Sequence, residues 1–200
     1  MREKKALQYK QDVQNEVARI KLQFEDFAEG VRCIFLIHRK AEGGLSNGTK
    51  AQKRISRNAK EFWQIVAELV DIKMNSDIPY RVYSCLNDRN IEKAIRQFKY
   101  EQLEADYYHG EQKHEFYFNI RNRWIGCLMQ PPQKNSSLFM FDVDTEDNGD
   151  ALKALKDAEI LKAYRTKNGW HIITKPFNHT KVTLPVATSL KTDGLLLLSF

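Results

Sequence analysis

The sequence predicts an α+β fold in which helices come first along the chain and strands come later. Apolar residues recur at helical spacing through much of the first 130 residues, whereas the last 70 contain short apolar runs typical of strands. Hydrophobic residues make up 42% of the 200 residues, which suffices for a buried core and excludes a disordered chain. We therefore predict a single domain over residues 1–200, with a mainly helical region at 1–132 and a β-rich unit at 133–200.

The helical region is predicted from the spacing of its apolar residues and from its capping and breaking residues. Its elements are, in chain order, a helix over about residues 5–28, an apolar run at 31–37 that is either a strand or the buried end of that helix, a helix from Ile55 to Val70, a strand at Tyr80–Cys85, a helix capped by Asn87 or Asp88, and a helix from Phe116 to Leu128.

The β-rich unit begins with a near-continuous apolar run, Leu138–Val143, which indicates a central strand that is covered on both faces. The elements after it are a short helix at Asp150–Ala158, strands at Ala163–Arg165 and Trp170–Thr174, and a final strand at Leu195–Phe200. A turn at Asn168-Gly169 is expected to join the two middle strands, because this dipeptide is a strong hairpin signal.

The composition restricts the classes of function. No apolar run approaches the length of a membrane span, and the N-terminus lacks a secretory signal, so we expect a cytoplasmic protein without a membrane partner. The three cysteines lie far apart without a CxxC pair, which favours buried reduced thiols over a zinc site.

The chain carries 32 Lys and Arg against 26 Asp and Glu, a net charge of +6 that permits a polyanionic partner. Cations crowd residues 39–57, in which Glu42 is the one acid. Within this segment we expect Lys50, Lys53 and Arg54 to contact nucleic acid and the segment to be mobile without it. The alternative is an ordinary solvated loop.

Two acids lie at the carboxyl end of the central strand of the β-rich unit. Residues two apart on a strand point to the same face, so Asp142 and Asp144 should project together, about 6–7 Å apart along the strand. Adjacent carboxylates repel each other unless a cation lies between them, and oxygen ligands favour Mg²⁺ or Mn²⁺. The alternative is a strand that simply ends in solvated acids.

The turn between the two middle strands is basic and is followed by a histidine. Exposed backbone amides and a cation at Thr166-Lys167-Asn168-Gly169 suit a phosphate group. His171 opens the next strand, 27 residues after Asp144. A histidine at this place is often structural, but its position after the DxD strand and a connecting helix favours a functional role.

Together the two motifs, Phe141-Asp142-Val143-Asp144 and Thr166-Lys167-Asn168-Gly169-Trp170-His171, resemble the archaeo-eukaryotic primase superfamily. The resemblance covers about residues 137–195 and implies an RRM-like catalytic sheet, on which the helical region would pack. It also implies that Asp142, Asp144 and His171 are catalytic, that the two acids bind metal, and that Thr166, Lys167, Gly169 and His171 bind the nucleotide.

The same resemblance implies a third acidic metal ligand on a later strand, for which Asp193 is the best candidate. We expect the strand after Asp193 to lie beside the Asp142–Asp144 strand; the alternative is an Asp-Gly turn. The strand at residues 81–84 could add the basic residue Arg81 to the site, or Arg81 could be a charge at a strand edge.

The function implied is that of a DNA or RNA primase-polymerase, a nucleotidyltransferase that uses nucleoside triphosphates, Mg²⁺ or Mn²⁺ and a single-stranded template. Small stand-alone members of this group occur in phages and plasmids, and a separate helicase would be a partner in replication. Two alternatives remain open: a metal-dependent nuclease, and a non-catalytic nucleic-acid-binding or replisome adaptor protein with a degenerate primase fold.

Overall fold

The computed structural model describes residues 2–38, 51–107 and 111–200. Over these residues it contains six α-helices, α1 (Arg2–Phe24), α2 (Ala59–Met74), α3 (Ile91–Tyr107), α4 (Glu111–Phe118), α5 (Ile120–Met129) and α6 (Gly149–Ala154). Its eight strands are β1 (Arg32–His38), β2 (Ala51–Ser56), β3 (Tyr80–Cys85), β4 (Phe139–Val143), β5 (Ile160–Arg165), β6 (Trp170–Thr174), β7 (Thr188–Lys191) and β8 (Leu195–Ser199). No helix in this part of the chain combines the length and apolar character that crossing a membrane requires.

The strands form two antiparallel sheets, which confirms the α+β class. The first sheet has the order β2-β1-β3-β8 and the second has the order β5-β6-β4-β7. The first sheet therefore combines three strands from the N-terminal region with the last strand of the chain. The N-terminal region is mainly helical and the C-terminal region is mainly strands, as predicted. The two sheets, however, do not follow this division of the chain, because β8 pairs with a strand of the N-terminal region.

Helices cover both faces of the first sheet, which explains why β1 is apolar from Cys33 to Ile37. Ile34 and Leu36 face one side and pack with buried residues of α1 and α2. Cys33 and Phe35 face the other side and pack with α3 and α5. The run at residues 31–37 is thus a strand rather than the end of α1, and all three cysteines are buried and free, as the sequence predicts.

The second sheet shows the two-residue alternation on which the site depends. Phe141 and Val143 point to one face and pack with Ala151 and Leu155 of the α6 segment. Met140 points to the opposite face and belongs to the core that the second sheet shares with the first. β4 lies between β6 and β7, so the prediction of a central strand is confirmed.

Three predicted elements of the N-terminal region differ in the structure. Ile55 belongs to β2, and α2 begins only at Ala59, because the Asn58 side chain caps it by accepting a hydrogen bond from the Glu61 amide. Asn90, rather than Asn87 or Asp88, caps α3. The last predicted helix is two helices, α4 and α5.

Candidate active site

A cavity of about 260 Å³ lies where the two sheets meet. The first sheet contributes residues of β1, β3 and β8, and the second sheet contributes residues of β4, β6, β7 and the β5–β6 hairpin. Its lining is Ile37, Arg81, Tyr83, Met140, Asp142, Asp144, Thr166, Lys167, Asn168, His171, Lys191, Gly194, Leu195 and Leu197. Two carboxylates, three cations and a histidine therefore face a common space, with apolar residues at its walls.

Both predicted acids line this cavity. Asp142 is on β4, and Asp144 follows the end of that strand. They share the face of Met140, whereas the intervening Val143 packs in the core on the opposite face of the sheet. The structure thus brings the two carboxylates to the same side, as the two-residue period of a strand requires.

His171 is the direct neighbour of Asp142 on the adjacent strand. The two residues pair across β4 and β6, and Nε2 of His171 lies 3.3 Å from Oδ1 of Asp142. The His171 side chain is 10% exposed, while that of Asp142 is 34% exposed. The ring is therefore largely enclosed and lies beside Asp142, in the cavity that both acids line.

The hairpin between β5 and β6 differs in register from the one expected. Its two-residue loop is Lys167-Asn168, since the Thr166 amide donates to the Gly169 carbonyl and Arg165 pairs with Trp170. An Asn168-Gly169 loop would have shifted the pairing by one residue on each strand. Gly169 is instead the residue at which the hairpin approaches β4, because an added Cβ would overlap the Val143 carbonyl oxygen. Thr166 and Lys167 line the cavity, whereas Gly169 does not.

Three cations approach the acids from different elements. Arg81 comes from β3, Lys167 from the hairpin and Lys191 from the end of β7. Arg81 is buried on an interior strand, so its interpretation as a charge at a sheet edge is wrong. Arg81 and Lys167 also line an adjoining cavity of about 360 Å³, whose wall includes Pro79 and Tyr80. The two cavities share these cations and extend the space available to a ligand.

Asp193 does not line the cavity, and its carboxylate has a buried partner. Both terminal nitrogens of Arg89 donate to it, at 2.7 and 2.9 Å, and the Arg89 side chain is fully buried. The strand after Asp193 is β8, which pairs with β3, so the expectation that this strand lies beside β4 is wrong. β7, before Asp193, occupies that place.

The loop after β3 holds the turn that contains Asp193. The amide of Leu86 donates to the Gly194 carbonyl, and the buried Asn87 side chain donates to the Thr192 and Leu138 carbonyls. These contacts fix β4, β7 and β8 relative to one another. Asp193 therefore has a structural partner in this anchor, and a role as third metal ligand stays a prediction.

The donor set of the cavity suits a hard divalent cation. Asp142 and Asp144 supply carboxylate oxygens, and no group of three or more acids, histidines or cysteines in the described parts of the chain could complete a metal site by itself. Mg²⁺ in nucleotide sites is commonly held by one or two carboxylates together with substrate phosphates. The residues present fit that pattern, in which the substrate supplies part of the coordination.

The predicted nucleic-acid segment is only partly described, since Lys50 lies outside the described residues. Lys53 and Arg54 are on β2, so this part of the segment is a paired strand rather than a loop. Arg54 forms an ion pair with Glu68 at 3.3 Å. Contacts of these residues with nucleic acid stay a prediction.

Sequence reasoning missed two residues of the site, Tyr164 and Lys191. The hydroxyl oxygen of Tyr164 lies 2.7 Å from Nδ1 of His171, and the two residues pair across β5 and β6. The correct hairpin register would have placed Tyr164 opposite His171. Lys191 reaches the cavity because β7 pairs with β4, a contact that no local pattern indicates.

Comparison with known proteins found no family model that matches the chain, and found neither a curated protein nor a solved structure that matches it significantly. The resemblance to the primase superfamily therefore rests on the DxD and TxxGxH motifs.

Proposed function

We propose that this protein is a nucleotidyltransferase of the primase-polymerase type, which joins a nucleoside triphosphate to a 3′-hydroxyl on a single-stranded template. The observation that carries the proposal is the cavity in which Asp142 and Asp144 face three cations and His171. A metal–triphosphate complex carries both signs of charge, and this cavity presents carboxylates to the metal and cations to the phosphates.

Asp142 and Asp144 would hold Mg²⁺ or Mn²⁺, with the remaining coordination positions taken by phosphate oxygens and water. The bound cation would supply activation of the 3′-hydroxyl and neutralisation of charge on the triphosphate. The contribution of the two aspartates is to fix the position of that charge at the end of β4.

The cations act on the phosphates that leave. Arg81, Lys167 and Lys191 stabilise the negative charge that develops on pyrophosphate, and Nε2 of His171, which lies 3.3 Å from Asp142, would share its proton between that carboxylate and a phosphate oxygen. The nucleoside would occupy the adjoining cavity, which shares Arg81 and Lys167 and is also lined by Tyr80. A ligand that spans both spaces would place its phosphates between the two cavities.

The topology of the second sheet supports the RRM-like part of the proposal. Along the chain its elements are β4, α6, β5, β6 and β7, and in space the first and third strands are adjacent at the centre. This order resembles a β-α-β-β-α-β unit. The second helix of that pattern would fall between β6 and β7, where this chain has a short 3₁₀ turn at His179–Lys181.

The test is incubation of the protein with Mg²⁺ or Mn²⁺ and end-labelled single-stranded DNA or RNA, with no nucleotide, with ribonucleotides, or with deoxyribonucleotides. Products that are longer than the labelled strand and form only when nucleotides are present support the proposal. Shorter products that form without nucleotides identify a nuclease, and unchanged strands under all conditions contradict the proposal. The Asp142→Asn/Asp144→Asn double variant controls for contaminating enzymes, because it should abolish the reaction and leave the fold intact.

A further inference from the structure

Tyr164, His171 and Asp142 form a continuous chain of contacts across three neighbouring strands. The three residues lie opposite one another in the register of β5, β6 and β4. The Tyr164 hydroxyl is 2.7 Å from Nδ1 of His171, and Nε2 on the other side of the ring is 3.3 Å from Asp142. Each ring nitrogen of His171 therefore faces one defined partner.

The chemistry of these partners selects one tautomer of the neutral imidazole. An ionised carboxylate can only accept a hydrogen bond, so Asp142, at 3.3 Å, favours a proton on the nitrogen that faces it but does not fix the tautomer alone. The other nitrogen, Nδ1, is then an acceptor and requires a donor. The Tyr164 hydroxyl can be that donor, since its burial and the charge of Asp142 raise the Tyr164 pKa and keep the phenol protonated.

The Tyr164 ring is itself held in place. It is 6% exposed, and the Phe24 ring of α1 meets it edge-on with centroids 5.0 Å apart. The His171 ring packs against Tyr164 at 5.2 Å with an interplanar angle of 81°. A side chain fixed by packing on one side can orient the group that it bonds on the other.

We infer that Tyr164 is a positioning residue, whose hydroxyl donates to Nδ1 of His171 and thereby keeps a proton on Nε2, the nitrogen that faces the cavity. A phosphate oxygen can accept a hydrogen bond from Nε2 only when Nε2 carries a proton. The expected effect of Tyr164 on nucleotide binding therefore rests on the proposed function. The orientation of the ring and its tautomer do not depend on that function.

The direct test is the ¹⁵N spectrum of the His171 ring at pH 8.5, where an ordinary histidine is neutral. The wild-type protein should show the Nε2–H tautomer, and Tyr164→Phe should show a mixture of both tautomers. Tyr9→Phe is the matched control, since it removes a hydroxyl that bonds Asp71 on α2, and it should leave the His171 signals unchanged. A wild-type ring in the Nδ1–H form, or a Tyr164→Phe spectrum identical to wild type, overturns the inference.

A kinetic measurement separates positioning from general loss of structure. Loss of one oriented hydrogen bond should raise the KM for the nucleotide about 3- to 10-fold, while kcat stays within about twofold. A fall in kcat at unchanged KM contradicts the positioning role. If the wild-type protein neither binds nor incorporates nucleotides, the proposed function fails, and the tautomer measurement still decides the role of Tyr164.

Discussion

Replacing Asp193 with Asn separates the two roles that this carboxylate could have. In the structure Asp193 accepts two hydrogen bonds from Arg89, whose side chain is fully buried. The substitution preserves the shape of the side chain but removes its charge, so the Arg89 guanidinium would lose its anionic partner. A structural role therefore predicts lower stability, whereas a role as metal ligand predicts lost metal binding at unchanged stability.

The magnitude follows from the burial of the pair. Removing one partner of a buried ion pair costs about 3–5 kcal/mol. The Asp193 side chain is 14% exposed, and Asn retains one acceptor oxygen, so we expect the lower end, about 3 kcal/mol. In a chain of 200 residues, each kcal/mol shifts Tm by about 2–4 °C, which gives a decrease of about 6–12 °C.

Thermal denaturation followed by circular dichroism measures this shift, and Asp150→Asn is a matched control. Asp150 forms an ion pair with Lys153 at 3.3 Å, but both side chains are more than four-fifths exposed. An exposed pair of this kind contributes about 0.5 kcal/mol, so the control should lower Tm by no more than about 2 °C. If Asp193→Asn leaves Tm unchanged and abolishes metal-dependent nucleotide binding, Asp193 is a ligand and the structural account of it is wrong.

Two further predictions concern the fold around the site and the pH dependence of stability. Gly169→Ala should destabilise the protein or displace the hairpin from β4, because the new Cβ would overlap backbone atoms of β4. In the control Gly126→Ala no atom lies near the added Cβ, so Tm should stay unchanged or rise. Thermal denaturation of both variants tests this prediction. Hydrogen bonding from Arg19 lowers the pKa of Glu16 to about 2, so the stabilisation by the Glu16 carboxylate is present above pH 4.5 and lost as the pH falls towards 2. Glu16→Gln should therefore cost less stability at pH 2 than at pH 7, and a difference that is constant with pH contradicts this.

The part of the site on β4 could be predicted because it depends on local rules. The two-residue period of a strand places Asp142 and Asp144 on one face, and the apolar run before them indicates a buried strand. The position of His171 near these acids was expected from the resemblance of the two motifs to the primase superfamily, and the structure places it opposite Asp142. These features need only the chain from residue 138 to residue 174.

The remainder depends on contacts that local patterns do not encode. β2 carries Lys53 and Arg54 because it is an edge strand, where charged residues are common, and its sequence therefore resembles a loop. The predicted register of the β5–β6 hairpin was wrong because the glycine signal was assigned to the turn. Gly169 is instead required where the hairpin approaches the backbone of β4 closely. The pairing of Arg89 with Asp193 joins residues more than 100 positions apart.

The most direct test of the account is whether the affinity for a nucleoside triphosphate depends on Mn²⁺ through Asp142 and Asp144. Fluorescence anisotropy of a labelled nucleotide, titrated with protein in Mn²⁺ or in a chelator, measures this dependence. We expect Mn²⁺ to raise the affinity of the wild-type protein about tenfold or more, the size of one charge-assisted interaction, and the Asp142→Asn/Asp144→Asn variant to lose that increase without a loss of Tm. A wild-type affinity that does not change with Mn²⁺, or a double variant that keeps the full increase, would contradict the assignment of this cavity as a metal–nucleotide site.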